Sequence, residues 1–266
     1  MPEQTILSLS AIVALVPSSL LPLRKDHSRD MIFWLVLVVA VAGPVTWVLA
    51  SMAGAWRTDL STTLWVTVAA TMAIFAFITV LTRETWRLTP LISAYMVVLG
   101  ILAAVWSQAP HKPLAAAASG GWIGVHIGVS VATYALVTIA AVAALAAFLQ
   151  ERALKRKRPT TLTRLLPSVA DCEWLLVRLL VLGEIVLAMG LVSGMALQYG
   201  ETGTLLVLDH KTILTITTFV VIGGLLIAHF KTGLRGRKAA RIVLLAYLLL
   251  TLGYPGVKFV TDVILA

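Results

Sequence analysis

Apolar runs alternate along the chain with short polar connections, at intervals that match the thickness of a bilayer. The runs lie near 5–23, 31–53, 61–82, 88–106, 121–150, 175–198, 210–230 and 240–263. At a rise of about 1.5 Å per residue each is long enough to cross, or nearly cross, a hydrocarbon layer about 30 Å thick. Backbone polar groups in lipid must find partners within their own segment, so the runs are predicted as helices. The expected fold is all-α: a polytopic membrane helix bundle of eight transmembrane helices, forming a single integral membrane domain over residues 1–266.

The fifth run dominates the pattern. Residues 122–158 read WIGVHIGVSVATYALVTIAAVAALAAFLQERALKRKR, and no Lys, Arg, Asp or Glu occurs from Gly121 to Gln150. His126, Ser130 and Tyr134 recur at every fourth position, with Thr133, Thr138 and Ala141 close to the same stripe. This spacing predicts one polar or small face turned to protein or ligand, and an opposite face of Val, Ile and Leu turned to lipid. In the sixth run Gly190 and Gly194 form a GxxxG, with Gly183 and Ser193 adding small surface, which permits close helix contact.

The connections set an orientation. Odd-numbered connections hold fifteen Lys and Arg residues and even-numbered ones two, Arg57 and Lys112. The bias predicts odd connections in the cytoplasm and both termini outside. Trp56, Trp86, Trp106, Trp122 and Trp174 fall near the predicted span ends, the depth indole rings favour. In the long fifth connection, Leu162, Leu165, Leu166, Val169, Cys172 and Leu176 are spaced for one apolar face. A short helix on the inner surface, broken at Pro167, is expected there; a solvated loop touching lipid is the plainer alternative.

Composition agrees with the pattern: 59% of residues are hydrophobic and 12% charged, against about 45–50% and 25% in soluble domains. The net charge of +9 sits in short loops beside lipid headgroups, so no nucleic-acid partner is expected and the lipid bilayer is. Cys172 is the sole cysteine, which excludes an internal disulfide, a zinc cluster and a CxxCH attachment site for covalent haem. The start MPEQTILSL has no basic n-region, so the first run is expected to be a retained helix.

Ionisable groups inside spans are costly and mark function. His126 lies about one turn into the fifth span, and His210 opens the seventh from the same side within Asp209, His210 and Lys211. With Trp122 nearby, the two histidines are expected at similar depth, where a bis-imidazole haem iron site at the outer leaflet is geometrically possible. Interfacial histidines bonded to backbone or headgroups are the alternative. His229 follows His210 by nineteen residues, about 28 Å along one helix, so the two cannot share a metal. His229 belongs near the basic loops, as an inner haem or propionate site or as a group snorkelling to headgroups. His27 and His111 fall in loops. Glu184 lies within the sixth span, off the face of Arg178, as a proton-relay or substrate group or as a protonated carboxyl bonded to a neighbouring helix. No nucleophile motif, Walker loop or dinucleotide fingerprint occurs on a usable loop, so the protein is not expected to be an enzyme.

The segments VHIGVSVATYALVTIAAVAAL, QERALK, LPSVADCEWLLVRL, GLVSG, DHKTILT, AHFKTGLRGRKAAR and LGYPGV, in that order, resemble the cytochrome c assembly protein family. The similarity is to its short eight-helix YpjD-like branch, related to HemX, CcsA and CcmC, and covers about 121–257; the first four helices match in hydropathy only. The resemblance implies a haem-handling protein of the bacterial inner (plasma) membrane, with cytochrome c biogenesis proteins as partners. By motif it makes His126 an outer-face haem ligand and His229 a ligand for haem within the membrane. The stripe through Ser130 and Tyr134 would then face the haem. The chain departs from the family's synthetase branches, in which a tryptophan-rich segment would precede Asp209: here the loop reads YGETGTLLVLD, with no tryptophan. His210 as an outer partner to His126 is an inference from position and not a family property.

Two functions follow as expectations. The first is a haem-holding accessory protein of cytochrome c assembly, favoured by the paired outer histidines. The second is a non-catalytic regulatory or scaffold membrane protein that binds a partner through its basic inner surface without stable haem, favoured by the missing tryptophans. A transporter is a third reading, with Pro44 and Pro255 the only hints of broken helices.

Overall fold

The computed structural model describes residues 2–24, 28–52, 59–108 and 121–260, and the loop residues His27, Trp56 and His111 lie outside these ranges. All regular elements among the described residues are helical. Besides short 3-10 turns they are α1 (Pro2–Ser19), α2 (Met31–Met52), α3 (Leu60–Leu81), α4 (Thr89–Val105), α5 (Gly121–Arg156), α6 (Thr161–Leu165), α7 (Val169–Thr202), α8 (His210–Thr232) and α9 (Gly236–Thr251). A π-helical turn, Leu252–Gly256, and a last turn, Val257–Phe259, extend α9. Eight helical stretches among the described residues are long and apolar enough to cross a membrane, as the hydropathy pattern predicts, and α6 is the short exception. This is an all-α, multi-pass membrane protein.

Local chemistry sets the helix limits. Asp59 and Asp209 cap α3 and α8 by accepting the backbone N–H of Thr62 and Thr212, and Ser168 caps α7 by accepting that of Asp171. The cap at Ser168 moves the start of α7 from the predicted 175 to Val169, directly after Pro167. The expected short helix before Pro167 is present as α6, opened by a capping box between Thr160 and Thr163. α5 runs on past the predicted 150 to Arg156. Its 36 residues reach about 54 Å, so more than one turn protrudes from a core about 30 Å thick.

The helices form two groups joined at α5. α1, α2, α3 and α4 pack together, while α5, α7, α8 and α9 form the second group, and α3 and α4 also touch α5. In the first group Trp47 stacks on Trp65 with centroids 5.2 Å apart and donates from Nε1 to Ser8 Oγ at 3.0 Å, tying α1, α2 and α3 together. Gly43 lets α2 approach α1 closely: a Cβ there would lie 2.6 Å from the Cβ of Ala14. The odd-numbered connections gather at one end, called the basic end below. There Arg29 donates to the Thr79 carbonyl at 2.7 Å, Gln150 Nε2 donates to the Leu166 carbonyl at 3.0 Å, and Arg237 pairs with Glu151 at 3.5 Å.

Two expectations change. The lipid-facing side predicted for α5 is absent: between Val131 and Ala147 nearly every side chain is buried, Val137 and Ile139 as fully as Thr138, and only Leu145 is exposed. The cause is the run of small residues Ala135, Ala140, Ala141, Ala143, Ala144 and Ala147, which lets α3, α7 and α9 close in on several sides. A helix apolar all round belongs in a core as readily as in lipid, and here it is the core. Secondly, α2 continues through Pro44 without a break, while Pro255 does disturb its helix and sits in the π-helical turn. Thr46 Oγ1 donates to the carbonyls of Ala42 at 2.9 Å and Gly43 at 2.8 Å beside the proline.

Candidate functional site

At the end of the bundle opposite the basic one, a cavity of about 300 Å³ opens between α5, α7, α8 and the end of α9. His126, Ser130, Thr133 and Tyr134 line it from α5, the four-residue spacing placing them on one face. Leu187 and Gly190 of α7, Leu250 and Tyr254 supply apolar and aromatic wall. Lys211 and Lys258 bring two positive charges to it.

The orientation of His126 is fixed from behind. Its Nδ1 lies 2.9 Å from Ser193 Oγ. The Ser193 hydroxyl can donate to the Gly190 carbonyl at 3.0 Å, which leaves its oxygen to accept from a protonated Nδ1. In the tautomer with the proton on Nδ1, Ser193 Oγ accepts it and Nε2 keeps its lone pair, the form that ligates a metal. Gly194 makes room for the ring: a Cβ there would stand 3.1 Å from His126 Cε1. Gly190 likewise faces Val129 of α5. The GxxxG of α7 thus receives α5, with Ser193 between the two glycines as the polar contact.

From the cavity wall a chain of hydroxyls leads into the core. Tyr134 Oη lies 3.1 Å from Tyr247 Oη and 3.2 Å from Thr251 Oγ1, and Tyr247 is hydrogen-bonded in turn to Tyr95 of α4. Tyr254 packs against Tyr134 with ring centroids 6.0 Å apart. The chain satisfies polar tips that would otherwise be costly inside a membrane, and it locks α4, α5 and α9 together behind the site.

The predicted site residues divide. His126, Ser130 and Tyr134 share the cavity, whereas His210 is exposed and does not line it. The next residue, Lys211, does line it. Trp122 is 52% exposed at the start of α5 and is not in the cavity wall. Among the described residues no second histidine lines the cavity. Asp209, the cap of α8, has its carboxyl held below the usual range, first by the Thr212 N–H.

His229 sits at the basic end, in a groove with Glu173, Trp174, Arg178, Phe230 and Arg235. Its Nδ1 donates to the Leu234 carbonyl at 3.0 Å. Glu184 lies midway along α7 with Oε1 against α8, where a Cβ on Gly223 would stand 2.9 Å from it. Its Oε2 is buried with no hydrogen-bond partner among the described residues. Neither the expected relay role nor the expected bond to a neighbouring helix is visible at Oε2.

Sequence reasoning passed over Lys211, Lys258, Tyr254 and Tyr247. Lys211 stands beside His210, and one step along a helix turns a side chain by about 100°, so the choice between them needed the rotation of α8. Lys258 follows the Pro255 break, within YPGVK, and the break alone does not show that its side chain reaches the cavity.

The chain matches the family model described as cytochrome C assembly protein over residues 26–265. An Azospirillum brasilense protein described as an uncharacterized 28.8 kDa protein in the nifR3-like 5' region is 54% identical over 270 residues, and the match covers the whole of both chains. No solved structure matches it. The protein belongs to the cytochrome c assembly family, and the match takes in α2, α3 and α4 as well as the part where motifs were legible.

Proposed function

We propose that this member of the cytochrome c assembly family holds haem in the cavity headed by His126, as a non-enzymatic accessory of cytochrome c maturation in a bacterial inner membrane. Family membership supports the role in cytochrome c maturation. The observation that carries the haem reading is the imidazole in the cavity wall: its Nδ1 is hydrogen-bonded to Ser193, and Nε2 is the nitrogen left for an iron. The rest of the cavity suits the same cargo. Leu187, Leu250, Tyr134 and Tyr254 offer apolar and aromatic surface to a macrocycle, and Lys211 and Lys258 offer cations to its propionates. On this reading His126 is the sole protein imidazole on the iron, and the pairing with His210 expected from the sequence is not part of it. The hydroxyl chain behind Tyr134 holds the wall in place.

The basic-loop bias supports an outer-face position for this cavity. The scaffold reading draws on the loop before Asp209, which carries no tryptophan. One experiment separates the two. Protein purified in detergent is titrated with haemin and followed by absorbance and a pyridine haemochrome assay. Saturable one-to-one binding, lost in His126→Ala and kept in His210→Ala, is the expected result. Protein that stays colourless with haem supplied refutes the haem reading and leaves the scaffold. A topology reporter after Arg158 is expected in the cytoplasm and one after Gly200 outside; the reverse labelling refutes the outer-face assignment.

A further inference from the structure

The basic end carries a second opening that the haem reading leaves unused. The groove between α7 and α8 has a volume of about 700 Å³ and is lined by Glu173, Trp174, Val177, Arg178, Val181 and Leu182 from α7, by His229 and Phe230 from α8, and by Arg235 of the connection to α9. We propose that this groove binds the phosphodiester headgroup of an anionic phospholipid of the adjacent leaflet, with Arg178 and Arg235 as the phosphate-binding pair.

Three observations support the assignment. The first is the state of the two guanidiniums. Arg178 lies over the Trp174 ring, 3.9 Å from its centroid, so one flat face is covered by indole while the N–H edge stays available for an oxyanion. Arg178 and Arg235 form no ion pair among the described residues, in contrast to Arg24, Arg87 and Arg237, each of which has a carboxylate partner. The second is how Arg235 is placed. Glu173 Oε1 accepts the Gly236 N–H at 2.8 Å, and His229 Nδ1 donates to the Leu234 carbonyl at 3.0 Å. These two bonds pin the residues on either side of Arg235 to the groove. Glu173 is the one acidic group in the lining, and two guanidiniums outweigh it.

The third observation is the order of chemistry along the membrane normal. Trp174 and Arg178 lie one turn apart near the basic end of α7, at the depth where indole rings and headgroups meet. Farther into the bilayer the same groove is walled by Val181 and Leu182, the latter 52% exposed, while Phe230 stands beside His229 at the depth of the cations. Cations at headgroup depth above an outward-facing apolar wall reproduce the polarity of a phospholipid, with acyl chains lying along Val181 and Leu182. Basic pockets between helices on the cytoplasmic side bind such headgroups. For iron the groove is poorer: among its lining residues His229 is the only imidazole, with no cysteine or methionine opposite.

The test uses the full-length protein without haem, so its outcome does not depend on the outer cavity. Delipidated protein is titrated with dioleoyl phosphatidylglycerol or with dioleoyl phosphatidylcholine, and bound lipid is read by native mass spectrometry together with the unfolding midpoint. The anionic lipid is expected to bind and to raise the midpoint, and the zwitterionic lipid to do neither. Arg178→Gln with Arg235→Gln is expected to weaken binding about 30-fold, about fivefold for each guanidinium. The Arg178→Lys, Arg235→Lys variant keeps the charges and is expected to retain most of the binding, which separates charge from misfolding. Equal binding of the two lipids, or a double Gln variant that binds like the parent, overturns the proposal. Stabilisation by inorganic phosphate equal to that by phosphatidylglycerol overturns it in favour of a free anion, and saturable haem binding lost on His229→Ala overturns it in favour of a second haem.

Discussion

Replacing Ser193 by alanine tests the arrangement behind His126 without touching the imidazole itself. Ser193 Oγ is 2.9 Å from His126 Nδ1, and the residue is 6% exposed, so no solvent stands ready to replace the lost acceptor. Outer partners of a metal-bound histidine change affinity by about 10- to 100-fold when removed, which is about 1.4–2.8 kcal/mol of binding free energy. The stability cost is expected to be smaller, because hydrogen bonds between membrane helices average about 0.6 kcal/mol and reach about 1.7. Ser193→Ala is therefore predicted to lower haem affinity at least tenfold while shifting the detergent unfolding midpoint only slightly. Ser193→Thr, which restores a hydroxyl, is predicted to recover most of the affinity. The assay is the same haemin titration, with unfolding followed in parallel. Affinity within twofold of the parent in Ser193→Ala, alongside abolished binding in His126→Ala, would show that the Nδ1 bond does not prepare the ligand.

Gly43→Ala is predicted to destabilise the bundle by about 1–3 kcal/mol, because its Cβ would lie 2.6 Å from that of Ala14 and a helix must move; Ala14→Gly in the same chain should restore the loss, both read by detergent unfolding. Tyr247→Phe removes the hydroxyl shared by Tyr95 and Tyr134 and is predicted to cost about 0.6–1.7 kcal/mol in the same assay. The Asp30 carboxyl is held well below the usual range, first by its hydrogen bond from Arg24 and then by the Phe33 N–H. Its contribution is full above the ordinary value of about 3.9 and is lost as pH falls through the lowered one. The parent's unfolding midpoint is accordingly predicted to drop on acidification below about pH 4, and that of Asp30→Asn to drop less.

The span count and the starts of α3 and α8 were legible because they depend on local chemistry. The starts of α3 and α8 fall within one residue of the apolar runs that Asp59 and Asp209 precede, whereas α7 begins at Val169 and not at the predicted 175, and the stripe of His126, Ser130 and Tyr134 follows from helical periodicity alone. The same periodicity misled on α5, where Val and Ile were assigned to lipid. In a soluble helix an apolar face identifies the core side, because the other face meets water. In a membrane both faces meet apolar surroundings, and Val137 or Ile139 carries no mark of which kind.

Residue order by itself determined which segments lie in the bilayer, which end is basic, and that His126 and His210 share one depth while His229 lies at the other. These are properties of position along a helix axis, and hydropathy and loop charge report that axis directly. Only the packed bundle decided which groups at one depth face each other: that α8 turns Lys211 toward the cavity and His210 away, that Ser193 stands behind His126, and that Tyr95, Tyr247 and Tyr134 meet. Rotation about the helix axis and the order of neighbours are fixed by contacts such as Gly194 beneath the His126 ring and the alanines that let α3, α7 and α9 close on α5. Those contacts join residues far apart in the chain, and no single run of the sequence records them.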